Sequence, residues 1–77
     1  MKLTETAIKA ENLLNNGLGF GRFAMDEYGY RMFSKDKTYM VVVYGCGTIS
    51  ACDLITTEYN LSYDGLKTWL IKHGFKV

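Results

Sequence analysis

The hydrophobic pattern of this chain changes period twice, from helical to strand-like and back, and that alternation limits the folds open to it. Leu3, Ala7, Ala10, Leu13 and Leu14 recur at helical spacing, with Glu5, Lys9, Asn12 and Asn16 on the opposite side. Thr4 is suited to cap the first turn, and Glu5 puts a negative charge where the helix dipole favours one. Leu3 and Ile8 have the spacing of a hydrophobic staple, and Gly17 followed by Leu18 reads as a left-handed stop. The spacing predicts a first helix over residues 3–16. A second follows over 63–73, with Ser62 as cap, Asp64 in the first turn, and Leu61 and Leu66 as the staple. Its apolar face is Tyr63, Leu66, Trp69, Leu70 and His73, and Gly74-Phe75 ends it.

Between the helices the period falls to two. Residues 20–25, 28–34 and 38–45 are short segments rich in aromatic and β-branched side chains. Asp26-Glu27 and Ser34-Lys35-Asp36-Lys37 separate them, and connections so short force antiparallel hairpins. The continuous apolar run Met40-Val41-Val42-Val43-Tyr44 predicts a strand covered on both sides. Residues 48–55 read as a fourth strand, with an irregular arm as the alternative. The expected fold is therefore α+β: a two-layer sandwich in the order helix, three- or four-stranded antiparallel meander, helix. Both helices lie on one sheet face, the simplest way to bury two apolar stripes.

With 77 residues the chain has room for one domain, spanning 1–77, because a second core could not close. A core of this size supplies at most about 3–5 kcal/mol, so small domains often recruit a staple or a partner. The 48% hydrophobic and 22% charged residues are ordinary globular composition. A formal net charge of +1 lacks both the basic excess of a typical nucleic-acid binder and the acidic excess of a DNA mimic. The opening residues carry no signal-peptide run and no stretch is long enough to span a bilayer, which predicts a cytoplasmic protein.

Two helices of this length cover one face of a small sheet, leaving the other to solvent. That face is expected to expose Tyr, Val or Met side chains, a composition that marks contact surfaces. Arg22, Tyr28, Tyr30, Arg31, Lys35, Lys37 and Tyr39 are the candidate partner-binding residues. A sheet that curls to bury both faces would leave no such surface. A second copy of the chain is the simplest partner for an exposed face.

Motifs with chemical content are weak. Gly17-Leu18-Gly19-Phe20-Gly21 lacks the dinucleotide spacing, follows a helix, and is better read as a cap and a strand passing close to another backbone. Gly19-Phe20-Gly21-Arg22-Phe23 resembles the aromatic strand of the RNA-recognition motif over five residues. The odd separation of Phe20 and Phe23 puts the two rings on opposite faces, where they cannot share a stack. Cys46 and Cys52 are too few for a disulfide framework and, with His73 distant, form no zinc set; two buried thiols are expected. A hairpin turn between them would permit a bridge. A Cys–His pair could meet in space, but the helix dipole accounts for His73 without catalysis. No catalytic residues, cofactor or metal are expected, nor an enzyme.

The expected function is a small non-catalytic protein-binding module working through an exposed aromatic sheet face. The alternative is weak, sequence-tolerant binding of single-stranded nucleic acid through Arg22, Arg31, Lys35 and Lys37 beside tyrosines. In general type, a short α/β chain without an active-site signature, the sequence is similar to the small inhibitors encoded by phages and other mobile elements, including anti-CRISPR proteins. That likeness implies a host defence protein as partner and the cytoplasm of the host cell as its setting.

Overall fold

The computed structural model describes residues 4–25 and 29–77. Helix α1, Glu5–Asn12, starts where the Thr4 hydroxyl accepts the Ala7 N–H at 3.2 Å, the expected cap. Leu3, and with it the staple to Ile8, lies outside the described residues. From Leu13 to Gly17 the helix widens into a π turn, so Leu18 N–H donates to Leu13 O and Phe20 N–H to Leu14 O. This wider turn corrects the expected stop. Gly17 is taken into the helix, and the left-handed residue is Gly19, at φ 76°. The extra reach swings Phe20 under the helices, where it is fully buried rather than opening a strand.

Five strands follow: β1 Gly21–Met25, β2 Gly29–Phe33, β3 Met40–Tyr44, β4 Ile49–Cys52 and β5 Thr57–Leu61. They pair in sequence order as an antiparallel meander, β1-β2-β3-β4-β5. The expected turn at Asp26-Glu27 lies outside the described residues. The turn at 34–37 is tightly built. Ser34 Oγ donates to Asp36 Oδ1 at 2.8 Å and accepts the Tyr39 N–H, while Thr38 N–H also donates to Asp36. These bonds, Thr38 N–H first and the Ser34 hydroxyl next, hold the Asp36 carboxyl below its usual range.

β5 is the element the sequence pattern did not announce, and its residues Thr57 to Asn60 are all exposed. It is an edge strand with a register shift against β4 between Ile49 and Ala51, and Asn60 there adopts φ 57°. Without a covered face or strict alternation, period-two reading has nothing to detect.

Helix α2, Tyr63–Lys72, is capped by Ser62, whose hydroxyl accepts the Gly65 N–H at 3.0 Å. It ends in a Schellman arrangement: Phe75 N–H donates to Leu70 O and Gly74 N–H to Ile71 O, with Gly74 at φ 89°. Phe75 then folds back against the core, 5.4 Å from the Phe20 ring centroid.

Both helices lie on one face of the sheet. The buried cluster joins Ala7, Ala10 and Leu14 of α1 to Leu66, Trp69 and Leu70 of α2, over Met32, Val41, Val43, Ile49 and Ala51. The α+β two-layer sandwich is thus the observed fold, with five strands in place of three or four. One expectation falls: β3 is not covered on both sides, since Val41 and Val43 are buried while Met40, Val42 and Tyr44 are not. The other side of the run, Met40, Val42 and Tyr44, faces away from the helices.

Candidate interaction surface

Antiparallel partners point to the same side of a sheet, so burial of Val41 and Val43 sorts every paired residue. Met32 pairs with Val41 and Tyr30 with Val43; across β3, Ala51 pairs with Val41 and Ile49 with Val43. These face the helices. The intervening residues face away: Phe33, Met40 and Cys52 in one row, Arg31, Val42 and Ser50 in the next, then Gly29 with Tyr44.

On the face away from the helices, Met40, Val42, Tyr44, Ser50, Cys52, Thr57 and Tyr59 line a depression of about 240 Å³. Its walls are thioether, isopropyl, aromatic and thiol groups, with the Ser50 and Thr57 side chains as polar points. Tyr59 stands on the exposed edge strand and is 71% exposed, while Arg31 lies one strand across from Val42, in the same row. A recess with aromatic rims and an adjacent guanidinium has the composition of an interface centre.

The residues singled out from sequence are spread over three places. Arg31 lies on the open face. Arg22, Tyr30 and Tyr39 belong to the helix side. Arg22 pairs in register with Met32, and its Nε lies 3.4 Å from Glu11 Oε1 of α1. Its guanidinium also stands 5.8 Å from the Tyr30 ring centroid. Tyr39 meets Trp69 edge-on at 5.7 Å and Phe75 at 5.4 Å. Lys35 and Lys37 are exposed on the β2–β3 turn. Tyr28 lies outside the described residues.

Sequence reading passed over Tyr59, Cys52 and Thr57 as members of this surface. The parity of Met40, Val42 and Tyr44 was visible in the sequence. Which parity faced the helices was not, because both were apolar.

A second exposed apolar feature sits at the β4–β5 turn, where Leu54 is 82% and Ile55 89% exposed. The turn is held from beneath. Asp53 Oδ1 accepts the N–H groups of Ile55 and Thr56 at 2.7 and 2.8 Å, and Oδ2 lies 2.9 Å from His73 Nε2. His73 Nδ1 is 2.8 Å from Trp69 O, so each ring nitrogen lies against an oxygen. The Thr56 and Ile55 N–H groups, then His73, lower the Asp53 carboxyl to about 2.

Both thiols are free. Cys46 is exposed in the β3–β4 turn and Cys52 is half-buried on the open face, against the expectation of two buried thiols. Cys46 Sγ donates to Thr48 Oγ1 at 3.4 Å, and that hydroxyl lowers the thiol from its ordinary value. Among the described residues no cluster of three or more His, Cys, Asp or Glu could hold a metal, and no helix is long and apolar enough to cross a membrane. No protein-family model matches the chain, and neither a curated protein nor a solved structure matches it.

Proposed function

We propose that this chain is a small, non-catalytic protein-binding module whose contact surface is the sheet face opposite the helices. The observation that carries the reading is the depression lined by Met40, Val42, Tyr44, Cys52 and Tyr59, with Ser50 and Thr57 as its polar members, on a face no element of the described chain covers. Leaving such groups in water forfeits about 25 cal/mol for each Å² of apolar area that a partner would cover. A partner with a complementary apolar surface gains that term, and a carboxylate on its rim would meet Arg31. A second copy is the simplest such partner; the likeness in type to mobile-element inhibitors favours a host protein, blocked by occupation of its surface.

The test is capture of a partner by immobilised protein. Tyr59→Asp and Arg31→Ala are expected to abolish capture without altering the circular dichroism spectrum. Thr68→Ala, on the exposed side of α2, is expected to leave it intact. Undiminished capture by both open-face variants would contradict the proposal.

A further inference from the structure

Within strands β2 to β5 the open face carries one charged side chain, Arg31; Glu58, which pairs with Ala51, belongs to the helix side. Arg31 pairs with Val42, and Val42 with Ser50. Ser50 falls at the register shift of β4, where Ile49 meets Leu61 and Ala51 meets Glu58, so it lies opposite Tyr59 and Asn60. One row therefore crosses four strands in the order Arg31, Val42, Ser50, Tyr59. An exposed cation and an exposed ring stand at its two ends, with the depression between them.

That row is complementary to itself. A two-fold axis running along the strands, between β3 and β4, lays β2 of one copy over β5 of another and β3 over β4. Arg31 of each copy then meets the Tyr59 ring of the other, so a single operation makes the cation–π contact twice. Met40 and Val42 of each copy stand over Cys52 and Ser50 of the other, at its depression. Three strand spacings of about 4.8 Å and a sheet separation of about 10 Å put the like charges of Arg31 roughly 17 Å apart. That exceeds the Debye length of about 8–10 Å, so they do not oppose the pairing. A two-fold axis laid across the strands at this row would set Arg31 against Arg31, which costs affinity.

We infer that two copies of the chain pair open face to open face about this axis, with Arg31 of each on Tyr59 of the other. Resting on the open face as the contact surface, this pairing names the partner that covers it. Four strands at about 4.8 Å and five residues at about 3.3 Å give a contact of roughly 300 Å² in plan, the scale of small, transient interfaces. The pair is therefore weak, and its population follows protein concentration.

Sedimentation equilibrium of the full chain, from about 10 μM to about 1 mM protein, spans the affinities of a transient interface. The wild-type mass should rise from one copy towards two. Arg31→Glu sets a carboxylate against the Tyr59 ring, and Tyr59→Lys sets an ammonium against Arg31. Each variant alone should stay monomeric with an unchanged circular dichroism spectrum, since both positions are exposed. Mixed in equal amounts, the two should dimerise. The introduced carboxylate and ammonium then face each other, and the native Arg31–Tyr59 contact survives on the other side. A wild-type chain monomeric at the top of the range, a variant that dimerises alone as strongly as wild type, or a mixture that stays monomeric overturns this pairing. A monomer whose capture of a foreign protein is lost in Tyr59→Asp removes only the second copy as occupant. Capture undiminished by Tyr59→Asp and Arg31→Ala removes the open face itself.

Discussion

Gly29 shows how a single residue fixes the path of the sheet. A Cβ there would overlap the Val43 carbonyl oxygen and approach Tyr44 Cα to 2.7 Å, and both are backbone atoms of the central strand. Neither can step aside without breaking a ladder, so Gly29→Ala should cost about 2–3 kcal/mol in urea unfolding, the upper part of the usual range for overpacking. Asp53 governs a different property. Its folded value of about 2 lies below the ordinary 3.8, so its contribution is fully present above 3.8 and is lost as pH falls towards 2. Stability followed through that interval should decline with acid, and Asp53→Asn should flatten the decline while lowering stability at neutral pH. An unchanged slope in the variant would remove Asp53 from its cause.

The helices were legible as elements because their signals are local. Thr4 and Ser62 cap as their side chains suggest, and Gly74 stops α2 by taking the left-handed conformation. Replacing Ser62 by Ala should cost about 1 kcal/mol, read from the thermal or urea midpoint, because the Gly65 N–H loses its acceptor. The strands were legible where one side is buried, as in β2 and β3. Two features were hidden for physical reasons. The π turn from Leu13 to Gly17 depends on where Phe20 must land in the core, which no local pattern encodes. β5 is exposed from Thr57 to Asn60 and bends at Asn60, so its strand character comes from pairing with β4 alone.

At the scale of the whole molecule, one question decides where the proposed contact surface lies: which side of β3 the helices cover. Met40, Val42 and Tyr44 compete with Tyr39, Val41 and Val43 for the core, and hydrophobicity ranks them nearly equal. The answer moved Tyr30 and Tyr39 from a supposed contact surface to the helix side and brought Met40, Val42, Tyr44, Cys52 and Tyr59 together around a recess. Arg22, Lys35 and Lys37 line one depression beside the β2–β3 turn, and Arg31 lies on the open face. A small domain that keeps an apolar recess on its second face gives up burial that would have stabilised it alone, and the proposed partner would restore it. The most direct test of that claim places a photo-crosslinking amino acid at Tyr59 and, separately, at Thr68 on the outer side of α2. The account predicts that light joins a protein partner to the Tyr59 position and none to the Thr68 position. Adducts formed only at Thr68, or at neither site in lysate of the source cell, would contradict it.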